Sequence, residues 1–302
     1  MSRRGWLILL ALGAIWGMPY LLIKVALVDF DPILIAFGRT LIGALVLAPF
    51  AIRRSALRAV ISRWPAVLAF TLVEISGPWL LLGHAETQVS SSTAALFIAV
   101  VPMLTAAIAA GTRRDRITPV RALGLGVGLL GVAVLTGLDL TTASPWALGA
   151  LALTALGYAI GPMIMSRYLS GVPRITVVAA SLLLATAVYA PFVPDNLPTG
   201  FDVSSVAAVI VLGVICTALA FALFFDLVAE VGPARSTLIT YLNPAVAILL
   251  GVAILREPLG LGIALGMPMI LAGSLLASRR SEPGLGPPPP QVVTSAAGRE
   301  TQ

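Results

Sequence analysis

The chain holds a single cysteine, Cys216, and a single histidine, His84, among 302 residues. That scarcity excludes a disulfide within the chain and a zinc cage of cysteines and histidines. Charge is also thin. Only 11% of residues are Asp, Glu, Lys or Arg, against about a quarter in a soluble domain. So little polar surface cannot coat a water-soluble globule.

What the chain has instead is apolar sequence, 59% of it, gathered into blocks, which points to lipid as the solvent. The net charge of +6 does not point to nucleic acid, because the arginines sit in short gaps between the blocks and form no basic stripe. Ser2-Arg3-Arg4 opens like a signal peptide. The apolar run then continues to about Val28, well past the roughly 7–15 residues of a signal core, so it reads as a retained first span.

A helical span takes roughly 20 apolar residues. Spans are expected near 5–28, 34–52, 64–84, 92–111, 119–138, 145–166, 174–194, 204–229, 234–255 and 260–278. Turn signals such as Asp31-Pro32, Thr118-Pro119, Ser144-Pro145 and Glu257-Pro258 fall at or near the gaps. Residues 281–302, with four prolines from Pro287 to Pro290, cannot bury a core and read as a disordered tail.

With the N-terminus in the cytoplasm, one side collects Arg3, Arg4, Arg53, Arg54, Arg58, Arg63, Arg113, Arg114, Arg116, Arg121, Arg167, Arg174, Arg235, Arg279 and Arg280. The other side has Arg256 alone. The asymmetry predicts both termini inside and an even number of spans.

A shift of 142 residues lays Pro49-Phe50 on Pro191-Phe192, Pro102 on Pro244, Asp115 on Glu257, Leu123-Gly124 on Leu265-Gly266 and Gly131 on Gly273. The chain therefore reads as an internal duplication, 1–141 and 142–280, followed by the 281–302 tail. Five spans per unit is an odd number, so the second unit lies upside down relative to the first. The expected fold is all-α and integral to the membrane: ten transmembrane helices as two inverted five-helix repeats. Inverted repeats suit a secondary transporter, because exchanging the conformations of the two halves exchanges which side is open; they also build channels.

Several stretches, in this order and duplicated, resemble the EamA-type ten-span members of the drug/metabolite transporter superfamily. In the first unit they are Trp16-Gly17 followed by Lys24, Asp31-Pro32 followed by Arg39, and Ser92 to Pro102. In the second they are Gly232-Pro233-Ala234-Arg235, Tyr241-Leu242-Asn243-Pro244, Leu255-Arg256-Glu257-Pro258 and Ala272-Gly273. Two positions depart from the family pattern: Arg256 stands where Gly often precedes the Glu, and Asp115 stands where that Glu would lie in the first unit. The resemblance implies a carrier of the bacterial inner membrane, often an exporter of amino acids, metabolites or drugs, with a central cavity between the units.

Glu74 lies well inside the third span, where an ionised carboxylate costs at least ~2.5 kcal/mol. It must face the bundle interior, pair or stay protonated. A protonatable buried carboxylate suits proton coupling; a structural hydrogen bond to a neighbouring helix is the plainer alternative. The 142-residue shift gives it Cys216 as its mate, and Cys216 itself reads as packing.

Lys24 and Arg39 flank the first outer loop. They either snorkel to the headgroups or form a cationic rim that attracts a carboxylate-bearing substrate, with Asp29 and Asp31 close enough to pair. Trp16, Tyr20 and Lys24 share one helix face at spacing four, and Pro19 between them lets that face bend. Tyr158, the mate of Trp16, extends the pattern to an aromatic wall on two sides; plain packing is the alternative.

Pro102 and Pro244 each free a backbone carbonyl inside a span, as a hinge or as a static kink. Asn243 beside Pro244 can satisfy one, and Tyr241 completes that motif. Asp226, Glu230 and Arg235 form an inner gate or a surface ion pair. His84 and Glu86 read as an exposed outer rim. Gly126-x-Gly128-x-x-Gly131 matches a dinucleotide fingerprint only on paper. Gly124 and Gly128, repeated by Gly262 and Gly266, read as close helix packing. Ser90 to Thr93 reads as a helix N-cap.

The expected partners are a small-molecule substrate, the lipid bilayer and protons, with a homodimer left open; no metal, cofactor or nucleic acid is expected. An intramembrane enzyme acting on lipid or isoprenoid substrates and an uncoupled channel remain alternatives.

Overall fold

The computed structural model describes residues 2–51, 54–111, 118–139, 143–232 and 236–277. Every regular element among them is helical. The reason is the solvent: in hydrocarbon a backbone N–H or C=O without a partner costs several kcal/mol, and a helix satisfies both within one segment.

The helices are α1 (Arg3–Ala26), α2 (Pro32–Ala51), the short α3 (Arg54–Ser62), α4 (Trp64–Glu86), α5 (Ser91–Gly111), α6 (Pro119–Asp139), α7 (Pro145–Tyr168), α8 (Arg174–Phe192, its last turn 3₁₀), α9 (Val203–Val231), α10 (Ile239–Ala253) and α11 (Leu261–Ala277). Eight of these are long and apolar enough to cross a membrane. The last two, α10 and α11, are apolar but shorter. The starts follow the local chemistry. The side chains of Ser2, Ser90 and Ser144 accept from Gly5, Thr93 and Ala147 N–H at 3.0, 3.1 and 3.2 Å, so the expected serine cap of α5 is present. Gly232, at φ 81°, ends α9 in a region that favours glycine.

Three helices are irregular. α5 breaks at Ala99–Val100, just before Pro102, and resumes at Val101. α4 and α9 each widen into one π-helical turn, Thr71–Ser76 and Val214–Leu219, 143 residues apart. The π turns thus repeat one residue out of step with the sequence offset. The residue matching Glu74 in this register is Thr217, not Cys216.

The packing is the same for both halves of the chain, the extra α3 aside. α6 lies on α11, α2 on α8, α1 against α9 and α10, and α7 against α4 and α5; exchanging the two halves of the chain leaves this pattern unchanged. The α6–α11 contact is the closest. A Cβ on Gly273 would stand 2.4 Å from Gly128 N, and one on Gly124 2.5 Å from Ala277 N. The spaced glycines therefore serve helix packing, as their sequence pattern suggests.

At one end of the bundle, Ser2 meets Glu230 and Arg63 meets Tyr168 and Ser170. At the other end, Asp29 meets Ser205, Gln88 meets Ser144, and Ser91 meets Glu257. The outward faces carry Leu7, Leu45, Leu129 and Leu249, each more than 60% exposed, while Arg39, Glu86, Ser92 and Thr217 are buried. A soluble protein has the reverse polarity.

Candidate functional site

The third and fourth turns of α2 carry Arg39 and Gly43 against the π turn of α9. With no Cβ on Gly43, Thr217 comes close: a Cβ there would stand 2.8 Å from Thr217 Cγ2. Thr217 donates to Leu212 O at 2.8 Å, five residues back as the π turn dictates. That hydrogen bond fixes its hydroxyl so that it accepts from Arg39 Nε at 3.0 Å. The guanidinium lies over the Trp79 ring, Cζ 3.7 Å from the centroid, a cation–π contact of about 2 kcal/mol when desolvated. Tyr158, Cys216, Tyr189 and Tyr20 surround it within electrostatic range. Tyr189 in turn donates to Ser76 O at 2.6 Å. Arg39 is only 7% exposed, so it is not on an outer rim. The phase of α2 turns its third turn towards α9 and not towards the headgroups.

Glu74 sits in the π turn of α4. It lies against Gly161 of α7, where a Cβ would stand 2.0 Å from Glu74 Oε2. That oxygen is buried with no hydrogen-bond partner among the described residues, and Tyr158 stands within electrostatic range of Glu74, Glu86 and Arg39. The alternative, a structural hydrogen bond to a neighbouring helix, is therefore not made through Oε2 among these residues.

Trp16 packs on Phe224 and Phe221 of α9, with ring centroids 5.1 and 6.1 Å apart. It forms an aromatic wall one turn from Tyr20. Tyr158 lies among Trp79, Arg39 and the carboxylates and packs against the same core cluster as Phe221.

The outer loops differ from expectation. Lys24 donates to the backbone O of Glu86. Asp29 instead accepts from Ser205 Oγ at 2.6 Å and Asp202 N at 2.9 Å, and these hydrogen bonds hold its carboxyl below the usual range. Asp31 caps Ile33 N at 2.9 Å. Glu86 is not an exposed rim residue; it is fully buried, and both its carboxylate oxygens lack a partner. α4 runs on two residues past the expected end of its span, which carries Glu86 into the packing between α1 and α5.

Glu257, in the connection after α10, reaches across to the N-terminus of α5. It accepts from Ser91 N at 2.7 Å, Ser92 N at 3.0 Å and Ser92 Oγ at 2.6 Å. Burial opposes its charge, but the hydrogen bonds from Ser92 and Ser91 outweigh it and keep the carboxyl below the ordinary range. The reach depends on Gly251, where a Cβ would meet Glu257 Oε2 at 2.5 Å, and on Arg256 adopting φ 55°.

Of the remaining candidates, Pro19 and Pro244 lie inside continuous helices, whereas Pro102 follows the break in α5. Asn243 Oδ1 is buried without a partner, and Tyr241 is half-buried nearby on α10. At the end of the bundle that carries the N-terminus, Asp226 faces Arg4 at 4.0 Å and Glu230 accepts from Ser2 Oγ at 2.5 Å, all of them exposed. Arg235 and the 281–302 tail lie outside the described residues. The structure thus gathers Tyr20, Arg39, Glu74 and Tyr158 into one interior layer. It adds Trp79 and Thr217, which had no signal in the sequence beyond their place in apolar blocks.

Comparison with known proteins agrees with this architecture. The model of the EamA-like transporter family matches the chain twice, over residues 3–137 and 145–279. An "Uncharacterized transporter" of Archaeoglobus fulgidus is 24% identical over 279 residues, covering 91% of this chain and 99% of that one. A "Probable terminal-alkyne amino-acid exporter" of Streptantibioticus cattleyicolor is 28% identical, covering 93% and 95%. The "Uncharacterized inner membrane transporter YedA" of Escherichia coli strain K12 is 26% identical, covering 83% of each. A solved crystal structure at 22% identity shares the fold, with a TM-score of 0.61 over 92% of this chain and 97% of that one. The chain belongs to the EamA-like transporter family and is a membrane transporter.

Proposed function

We propose that this transporter exports small metabolites, amino acids among them, across a bacterial inner membrane by alternating access driven by proton antiport. The observation that carries the reading is a polar layer enclosed by an apolar-faced bundle. Arg39 and Glu74 lie inside it, Glu74 Oε2 has no partner among the described residues, and the layer falls between the paired π turns of α4 and α9. A carboxylate left without a partner in such surroundings is suited to take and release a proton.

Ten spans in two inverted units, 1–141 and 142–280, fit the pairing of helices across the halves and the repeated family match at the same offset of 142 residues. The contacts at the two ends support the inversion: Ser2, before α1, sits at the Glu230 end, while Ser144, before the equivalent α7, sits at the Gln88 end. With the arginine-rich end in the cytoplasm, both termini are inside. The relative named as an amino-acid exporter supports amino acids as the substrate class.

Reconstitution into proteoliposomes tests the reading. A carrier gives saturable uptake and counterflow, a channel lacks counterflow, and an enzyme alters its substrate covalently. Glu74→Gln should abolish transport driven by a pH gradient while sparing exchange. Undiminished gradient-driven transport in that variant would reduce Glu74 to a structural group.

A further inference from the structure

We propose that Arg39 anchors the carboxylate of the substrate, so that the site takes monocarboxylates with an apolar remainder and rejects cationic and neutral amphiphiles. This rests on the transporter reading and narrows its substrate class.

The guanidinium carries its charge at any relevant pH and presents five donors in a planar fork. Its use in this structure is incomplete. One face is covered by Trp79, Cζ to centroid 3.7 Å, and Nε donates to Thr217 Oγ1 at 3.0 Å. Neither Nη nitrogen makes a hydrogen bond among the described residues. Nor does Arg39 form an ion pair among them, although Glu74 and Glu86 both lie in the interior with unpartnered oxygens. Its titratable neighbours Tyr158, Cys216, Tyr189 and Tyr20 are uncharged types at neutral pH; Glu86 lies within electrostatic range but makes no ion pair with it.

A buried cation with no counterion is costly, and removing one member of a buried pair leaves that cost unmet. Here no described carboxylate is close enough to pair with the guanidinium. The two free Nη groups, side by side, match the two oxygens of a carboxylate. The stack on Trp79 and the Thr217 hydrogen bond hold the fork in orientation before a ligand arrives. One turn further along α1 and α9, Trp16, Phe221 and Phe224 form an apolar wall, which suits the remainder of the molecule.

The test uses the full chain in lipid nanodiscs and reads thermal unfolding midpoints with four matched probes: L-phenylalanine, 3-phenylpropionate, L-phenylalanine methyl ester and phenethylamine. The two carboxylates should raise the midpoint, and the ester and amine should not. Binding of 3-phenylpropionate shows that the amino group is dispensable. Arg39→Lys keeps the charge but loses the fork, and should weaken carboxylate binding at least about tenfold, as a bidentate site requires. If that variant does not fold, the probe series on the unaltered chain decides alone. Equal binding of ester and acid overturns the proposal. So does a failure of every carboxylate in a wider series of aliphatic and hydroxy monocarboxylates at millimolar concentration. Counterflow separates the two readings: carboxylate-selective binding without counterflow removes the transporter mechanism alone, while counterflow of phenethylamine as fast as of the acids removes the Arg39 assignment alone.

Discussion

The Glu257 carboxylate ties the connection after α10 to the first turn of α5 through three hydrogen bonds, and its removal has a calculable effect. Three hydrogen bonds reach it, from Ser91 N at 2.7 Å, Ser92 N at 3.0 Å and Ser92 Oγ at 2.6 Å. Hydrogen bonds to a charged group contribute about 1.5–3 kcal/mol each. The sum overstates the case, because burial opposes the charge and Glu257 remains about half open to solvent screening. Glu257→Gln also keeps one carbonyl acceptor. A loss of about 2 kcal/mol is the reasoned value, or roughly thirtyfold in the opening equilibrium of that contact. Hydrogen exchange of the 88–96 segment in nanodiscs reads it directly, since the Ser91 and Ser92 amides are donors in the contact. Exchange should quicken by about that factor in the variant. The same contact carries a pH dependence. The folded carboxyl titrates below its unfolded value, so its contribution is complete above the unfolded pKa and is lost as pH falls through the folded one. The protection ratio between the original chain and Glu257→Gln should therefore shrink on acidification. Unchanged exchange in the variant at neutral pH would refute the assignment of Glu257 as the tie.

Gly161→Ala would put a Cβ 2.0 Å from Glu74 Oε2, so it should reproduce the loss of pH-driven transport expected of Glu74→Gln while the chain still folds; intact gradient-driven uptake would count against Glu74. Gly273→Ala would put a Cβ 2.4 Å from Gly128 N, forcing α6 and α11 apart at a cost of about 1–3 kcal/mol, seen as a lower unfolding midpoint. Asp29→Asn should lose the acid sensitivity of the α1–α2 loop, because the hydrogen bonds from Ser205 and Asp202 favour the ionised form and fade as pH drops through the folded pKa. Exchange of the 200–206 segment should then respond to acid in the original chain and not in the variant.

The limits of the apolar helices were legible because lipid imposes length and hydropathy on each block separately. Most predicted ends fall within a few residues of the observed helices, and the spaced glycines found their partners across α6 and α11. Depth along a helix was legible too, which is why Glu74 stood out. Azimuth was not. Hydropathy says how far along a helix a residue lies but little about which neighbour it faces when every outward position is apolar as well. Arg39 was therefore placed at a rim and Glu86 in the open, although α9 covers the first and the packing between α1 and α5 encloses the second.

The π turns set the azimuth of the residues in the interior layer. A π turn inserts one residue and rotates everything beyond it by about 100° relative to an unbroken helix. In α4 it lies where Glu74 meets Gly161, and in α9 where Thr217 meets Arg39. An offset of 142 residues aligns the glycines and prolines outside these turns and assigns Cys216 to Glu74; the turns themselves are 143 apart and assign Thr217. In that register the two halves place different chemistry at equivalent points: a carboxylate without a partner on one side, and a hydroxyl steering a cation on the other. The pairing of helices is symmetric while the charge is not. On the function proposed above, two ligand groups of opposite sign, a proton at Glu74 and a carboxylate at Arg39, are handled by one repeated scaffold without competing for the same atoms.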